Sequence, residues 1–178
     1  QREFDLSEKQ IEMLVGDRYL AEYFEEAASE LTALDEEKRG IKLLANYLTS
    51  DLVGFINETG VSTREIKATP ANFAELVDLI AKGEISSRIA KDVLREMAVT
   101  GLNPSDIIKE KELAQISDES EINKIIGEVI DENPEAVVSY KKGKSNALQF
   151  LAGQVMAKAK GRANPQLVQE LLKKTLSR

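Results

Sequence analysis

The chain has 178 residues, a formal charge of −7, 42% apolar and only 5% aromatic side chains, and no Trp, Cys or His. That length suits one compact domain or two small ones, with a core resting on Leu, Ile, Val and Ala. Without Cys there is no disulfide, thiolate metal site or Cys nucleophile, and without His the commonest general base is missing; together these count against stand-alone hydrolytic chemistry.

Ser7 followed by Gln10 reads as a capping box opening a first helix with Ile11, Leu14 and Val15 on one side. Gly16-Asp17 breaks it, and a second helix is expected over 18–33, with stripes of Tyr19, Tyr23, Ala27 and Glu30, and of Leu20, Phe24, Ala28 and Leu31. Asp35 is placed to cap a long helix from Glu36, along which Ile41, Leu44, Ala45, Leu48, Leu52, Phe55 and Ile56 fall near helical spacing until Gly60. Thr69-Pro70 starts a helix buried through Phe73, Leu76, Val77 and Ile80 and stopped by Gly83. Ser86 or Ser87 starts the next, with Ile89, Val93, Leu94 and Met97 inward and Gly101 after its end, and Asn103-Pro104 starts another.

The charged, weakly periodic segment 109–118 is the expected domain joint. Ser117 or Ser120 offers caps for a helix carrying Ile122, Ile125, Ile126, Val129 and Ile130. Asn133-Pro134 opens a short element ending near Tyr140, a long helix runs through Lys160, and a last one runs from Pro165 to about Leu176, with Leu167, Val168, Leu171 and Leu172 as its stripe. No alternating β-branched run occurs, so the fold class is all-α: two consecutive multi-helix bundles, a helical domain over 1–110 and a C-terminal tail domain over 111–178.

Charge is unevenly distributed. Residues 139–178 carry +8, whereas residues 1–138 carry −15, so a polyanion-facing end is expected on an acidic body. In the helix around Leu148, the positions Leu148, Leu151, Ala152, Val155 and Ala159 share a core face. The opposite side presents Gln149, Phe150, Gly153, Gln154, Ala157 and Lys160, which is unlike the Glu/Lys mixture of an ordinary exposed surface and is equally compatible with a second packing face. Lys158, Lys160 and Arg162 surround the helix end, where they also complement its negative dipole, and Asn164-Pro165 caps the next helix. Lys141, Lys142 and Lys144 form a second cluster. The candidate RNA-binding residues are therefore Lys141, Lys142, Lys144, Gln154, Lys158, Lys160, Arg162 and Asn164.

Other signals lack companions. Gly143-Lys144-Ser145 echoes a phosphate loop, but Val138 stands where its first glycine belongs, and Ser139 with Lys142 is too short a pattern to support a nucleophile. Glu25-Glu26, Asp35-Glu36-Glu37 and Asp118-Glu119 lack metal-loop spacing. No catalytic constellation and no metal site are expected. No run of about 18 apolar residues is present, so no membrane partner is expected. The charged start Gln1-Arg2-Glu3-Phe4-Asp5 is no secretory signal and lacks Met, so the chain reads as cut from something longer, with the cytoplasm as its expected compartment.

Phe150-Leu151, Gly153-Gln154-Val155-Met156, Gly161 and Ala163-Asn164-Pro165 resemble the signature near the C-terminus of the GatB subunit of the tRNA-dependent aspartyl/glutamyl amidotransferases, a tail shared by a small stand-alone bacterial family. Ala45-Asn46-Tyr47-Leu48, Gly83-Glu84-Ile85-Ser86 with Ala90-Lys91, Gln115-Ile116-Ser117-Asp118, and Asn133-Pro134-Glu135-Ala136-Val137 with Tyr140 and Gly143 extend the resemblance over nearly the whole chain. It implies a ligase that converts Glu-tRNA(Gln) to Gln-tRNA(Gln) or Asp-tRNA(Asn) to Asn-tRNA(Asn). ATP and Mg²⁺ would be held in a larger N-terminal domain absent from this sequence. A glutaminase subunit would supply ammonia, and a small subunit would complete the assembly. The resemblance further implies that the tail grips the outer corner of tRNA and that this fragment is no enzyme. A structural spacer that docks other subunits rather than RNA is the competing expectation.

Overall fold

The computed structural model describes residues 6–32, 39–116 and 118–177. These are helical, and the chain divides into two compact units, Gln1–Leu113 and Ala114–Arg178, the division falling inside the charged segment where the joint is expected. Among the described residues no helix is long and apolar enough to cross a membrane.

The first unit contains α1 (Glu8–Gly16), α2 (Arg18–Glu30), α3 (Arg39–Asn46), a π-helical stretch (Tyr47–Leu52), α4 (Val53–Thr59), α5 (Pro70–Ala81), α6 (Ser87–Thr100) and α7 (Pro104–Glu110). Helix α5 is its centre and packs against α2, α3, α6 and α7. Thr69 accepts from the Asn72 N–H and Pro70 occupies the first turn, so α5 begins where its missing N–H costs nothing. Phe73, Ala74, Leu76 and Val77 are buried on it, each large side chain contributing roughly 1.5–3 kcal/mol. Tyr23 of α2 meets the Phe73 ring edge-on at 5.7 Å, and its hydroxyl donates to the Ala68 carbonyl at 2.9 Å, which pins the entry to α5. Burial pushes the Tyr23 phenol well above its usual range. Gly101 ends α6 at φ 76, and a Cβ there would meet the Lys67 carbonyl oxygen at 3.2 Å, so both backbone conformation and space call for glycine.

Three expectations change in this unit. Val15 points to solvent, 79% exposed, because the core of α1 is carried by Leu14. The second helix stops at Glu30, and the expected Asp35 cap and Glu36 start lie outside the described residues. The long helix beyond them is interrupted by the π-helical stretch, along which Tyr47, Leu48, Thr49 and Leu52 are buried. The Thr49 hydroxyl donates to the Ala45 carbonyl at 2.7 Å.

The second unit contains α8 (Glu119–Glu132), α9 (Pro134–Lys141), α10 (Ser145–Lys158) and α11 (Pro165–Leu176). Helix α10 packs against the other three. Leu151, Ala152, Val155 and Ala159 from the α10 segment meet Ile122, Ile126 and Val129 of α8 and Val168, Leu171, Leu172 and Leu176 of α11 in one core. Ile116 is drawn into that core by an isolated parallel bridge to Ala163, its N–H donating to the Arg162 carbonyl at 2.9 Å. The expected linker segment thus ends as part of the unit.

Two details of this unit also correct the sequence reading. Lys160 is not helical: it and Gly161 adopt left-handed conformations, φ 52 and 75, and turn the chain from α10 toward α11. The cap of α8 is Asp118, whose Oδ1 accepts from the Ser120 N–H at 2.8 Å; Ser120 lies inside the helix and Ser117 outside the described residues.

The Ser120 hydrogen bond holds the Asp118 carboxyl below its ordinary range. A lowered folded pKa means that its stabilisation is present above the unfolded carboxylate range and fades as pH falls through the lowered value. Asp118→Asn, which keeps the acceptor without the charge, is expected to flatten that part of the acid dependence of stability, as read from thermal melts of both proteins between neutral and acid pH.

Candidate nucleic-acid interface

The second unit places its cations at the two ends of α10. At the start, α9 ends in Lys141 and the chain turns through Lys142 and Gly143, the latter at φ 85. The Gly143 N–H donates to the Tyr140 carbonyl at 2.8 Å and the Lys144 N–H to the Ser139 carbonyl at 3.1 Å. These backbone bonds close the turn, so Lys141, Lys142 and Lys144 are left exposed. Lys144 occupies the N-cap position of α10 and has no side-chain acceptor to offer the first turn.

The last turn of α11 completes this end. Tyr140, Lys141, Gly143, Lys144, Leu148, Lys173, Leu176 and Ser177 line an open hollow of about 780 Å³. Among the described residues no carboxylate pairs with Lys141, Lys144 or Lys173. Lys173 was missed by sequence reasoning. Its helix offers only a core stripe as a signal, and packing α11 against α10 is what brings its last turn here.

The other end of α10 behaves differently. Lys158 is exposed and donates to Glu132 at 2.7 Å and Glu128 at 2.9 Å, both on α8. Those two hydrogen bonds, Glu132 first, raise its ammonium above the usual lysine range. Lys158 is therefore engaged within its own unit. Arg162 is half-buried and belongs to the turn that holds Ile116, while Asn164 uses its Oδ1 to accept from the Gln166 N–H at 2.9 Å as the cap of α11. Lys160 and Gln154 are exposed. A rise of about 1.5 Å per residue separates Lys144 from Lys158 by roughly 20 Å, so the two basic clusters do not merge.

The outer face of α10 is open rather than a second packing face. Phe150 is 48% exposed, and a Cβ at Gly153 would meet nothing. Phe150 borders a second hollow of about 550 Å³ lined by Glu132, Asn133, Pro134, Glu135, Ala136 and Ser139. The second unit as a whole carries ten basic against eight acidic side chains, so its basic character is a matter of placement rather than net charge. Among the described residues no group of three or more His, Cys, Asp or Glu is arranged to hold a metal ion.

Residues 22–176 match the GatB domain, and the chain belongs to that family. It is 47% identical to an aspartyl/glutamyl-tRNA(Asn/Gln) amidotransferase GatB subunit from Rickettsia rickettsii (strain Sheila Smith) over 99% of its own length and 35% of the relative's. A relative of the same name from Caldanaerobacter subterraneus subsp. tengcongensis is 40% identical over 99% of the chain and 36% of its own length. The chain thus spans about a third of the proteins it resembles.

The Lys158 geometry has a direct check. Glu128→Gln combined with Glu132→Gln is expected to bring the Lys158 ammonium down toward the ordinary lysine range, followed by NMR titration of its side-chain carbon; an unchanged midpoint would mean that the two carboxylates do not hold it.

Proposed function

We propose that this chain is the C-terminal portion of the GatB subunit of a tRNA-dependent amidotransferase and that its second unit grips tRNA while amide formation takes place elsewhere in the full-length protein. The observation that carries this reading is the convergence of Lys141, Lys144 and Lys173 on one open hollow with no paired carboxylate among the described residues. Ammonium groups left in that state release counterions when they meet phosphates, and such contacts fix position and orientation without reading base sequence. Lys142, Lys160 and Gln154 extend the exposed surface, while Lys158, Arg162 and Asn164 shape it through the contacts they make inside the unit.

The reading has a division of labour built in. The relatives are named for acting on Asp- and Glu-tRNA, and by that likeness the whole enzyme would need ATP, Mg²⁺, a glutaminase subunit and a small subunit, and would work in the cytoplasm. The present residues would supply grip and orientation rather than bond-making. Holding a large substrate at a distant corner restricts the approach of its reactive end, which is how a binding unit raises a rate without touching the reacting atoms.

Replacing Lys141, Lys144 and Lys173 together with Ala tests the grip. All three are exposed, so circular dichroism should not change. The log–log salt slope of tRNA binding should shrink in magnitude by about 2–3, since each phosphate contact contributes roughly 0.7–0.9. Unchanged affinity and slope would refute the assignment.

A second reading, docking of another protein subunit, is favoured by one observation: Phe150 is 48% exposed beside the hollow that contains Glu132 and Glu135. Phe150→Ala should then weaken co-purification of the other amidotransferase subunits with the full-length protein while tRNA affinity stays the same; loss of tRNA affinity alone would exclude this second reading.

A further inference from the structure

The hollow formed by the end of α9, the start of α10 and the last turn of α11 combines two chemistries. Its rim is cationic, with Lys141, Lys144 and Lys173, and its floor and walls include Leu148, Leu176 and Tyr140. Leu176 is buried and Leu148 and Tyr140 are half-buried, so their remaining exposed surface faces a cavity within the span of about 300–1,000 Å³ typical of small-molecule sites. Gly143 leaves one wall low, since a Cβ there would meet no atom.

We infer that this hollow receives a single unpaired nucleotide of the bound RNA, its base lying on the Leu148–Leu176–Tyr140 floor and its flanking phosphates on Lys141, Lys144 and Lys173. The inference rests on the tRNA-gripping reading and specifies what enters the site. Backbone phosphates alone would account for the lysines but would leave an apolar floor facing water. A paired nucleotide is excluded by geometry, because the bases of an A-form duplex are stacked inside and only loop or bulge bases can be splayed onto a protein surface. The floor has little with which to read a base edge. The Ser177 hydroxyl already donates to the Lys173 carbonyl at 2.7 Å, which leaves the Tyr140 hydroxyl as the side-chain donor on the floor, so base identity is discriminated mainly through stacking area.

The test compares 5′-AMP, 5′-UMP, ribose 5-phosphate and inorganic phosphate as ligands of the 178-residue chain, with backbone and methyl NMR shifts as readout at fixed ionic strength. Both mononucleotides should bind at least about fivefold more tightly than ribose 5-phosphate, with AMP ahead of UMP, and should move the signals of Tyr140, Leu148 and Leu176. Lys144→Gln with Lys173→Gln should weaken all the phosphorylated ligands alike. Equal binding of AMP and ribose 5-phosphate, or AMP shifts confined to the lysines, overturns the inference. A parallel tRNA titration separates the two levels. Binding of tRNA without mononucleotide shifts at the floor would sink the nucleotide site and leave the grip intact, whereas floor shifts without tRNA binding would sink the grip.

Discussion

Removal of Leu151, Ala152, Val155 and Ala159 from water orders the C-terminal unit. These four positions recur at helical spacing, and α8 and α11 close over them from two sides. Once that stripe is inside, α10 has no freedom to rotate. Phe150, Gly153 and Gln154 must face outward, Lys144 must stand at the beginning of the helix and Lys158 beside α8. The left-handed pair Lys160 and Gly161 then reverses the chain at a point where Ala163 can bridge to Ile116 and Asn164 can cap α11. Apolar burial thus positions every polar group of the candidate interface.

Electrostatics operates within that frame. The whole chain is acidic, and even the second unit is only slightly basic, so net charge by itself would not bring it to a polyanion. What distinguishes the unit is pairing. Lys158 has two carboxylates within 3 Å, whereas the ammonium groups of Lys141, Lys144 and Lys173 have none among the described residues. Exposed charges are screened beyond about 10 Å at moderate salt, so local arrangement within the unit matters more than its net charge. Two hollows flank α10 with contrasting linings, one with three lysines and one with two glutamates. Under the proposed function the lysine-lined side would meet an RNA backbone and the other would be left for a different neighbour.

Much of the scaffold could be read directly. Thr69-Pro70, Asn103-Pro104, Asn133-Pro134 and Asn164-Pro165 each begin a helix, with a side-chain cap at Thr69, Asn103 and Asn164 but not at Asn133, because capping and the fixed φ of proline are local properties. Gly60, Gly83, Gly101, Gly143 and Gly161 all adopt positive φ, again a local matter. Less legible were the features that depend on what lies across the core. Val15 continues an apolar pattern yet meets solvent, and the π-helical stretch arises where Tyr47, Leu48 and Thr49 are all drawn inward. No nearest-neighbour preference announces either one.

The sequence by itself determined an all-helical chain, the starts and stops of most helices, the family to which it belongs and the presence of cations near its end. Only the tertiary structure decided which cations act together. Lys158 was diverted to Glu128 and Glu132, and Lys173, counted in the basic segment but not among the candidate residues, joined Lys141 and Lys144 across a hollow. The physical reason is range: capping and backbone preference act within about one helical turn, whereas charge pairing and cavity lining depend on residues some thirty positions apart that meet only after the core has formed.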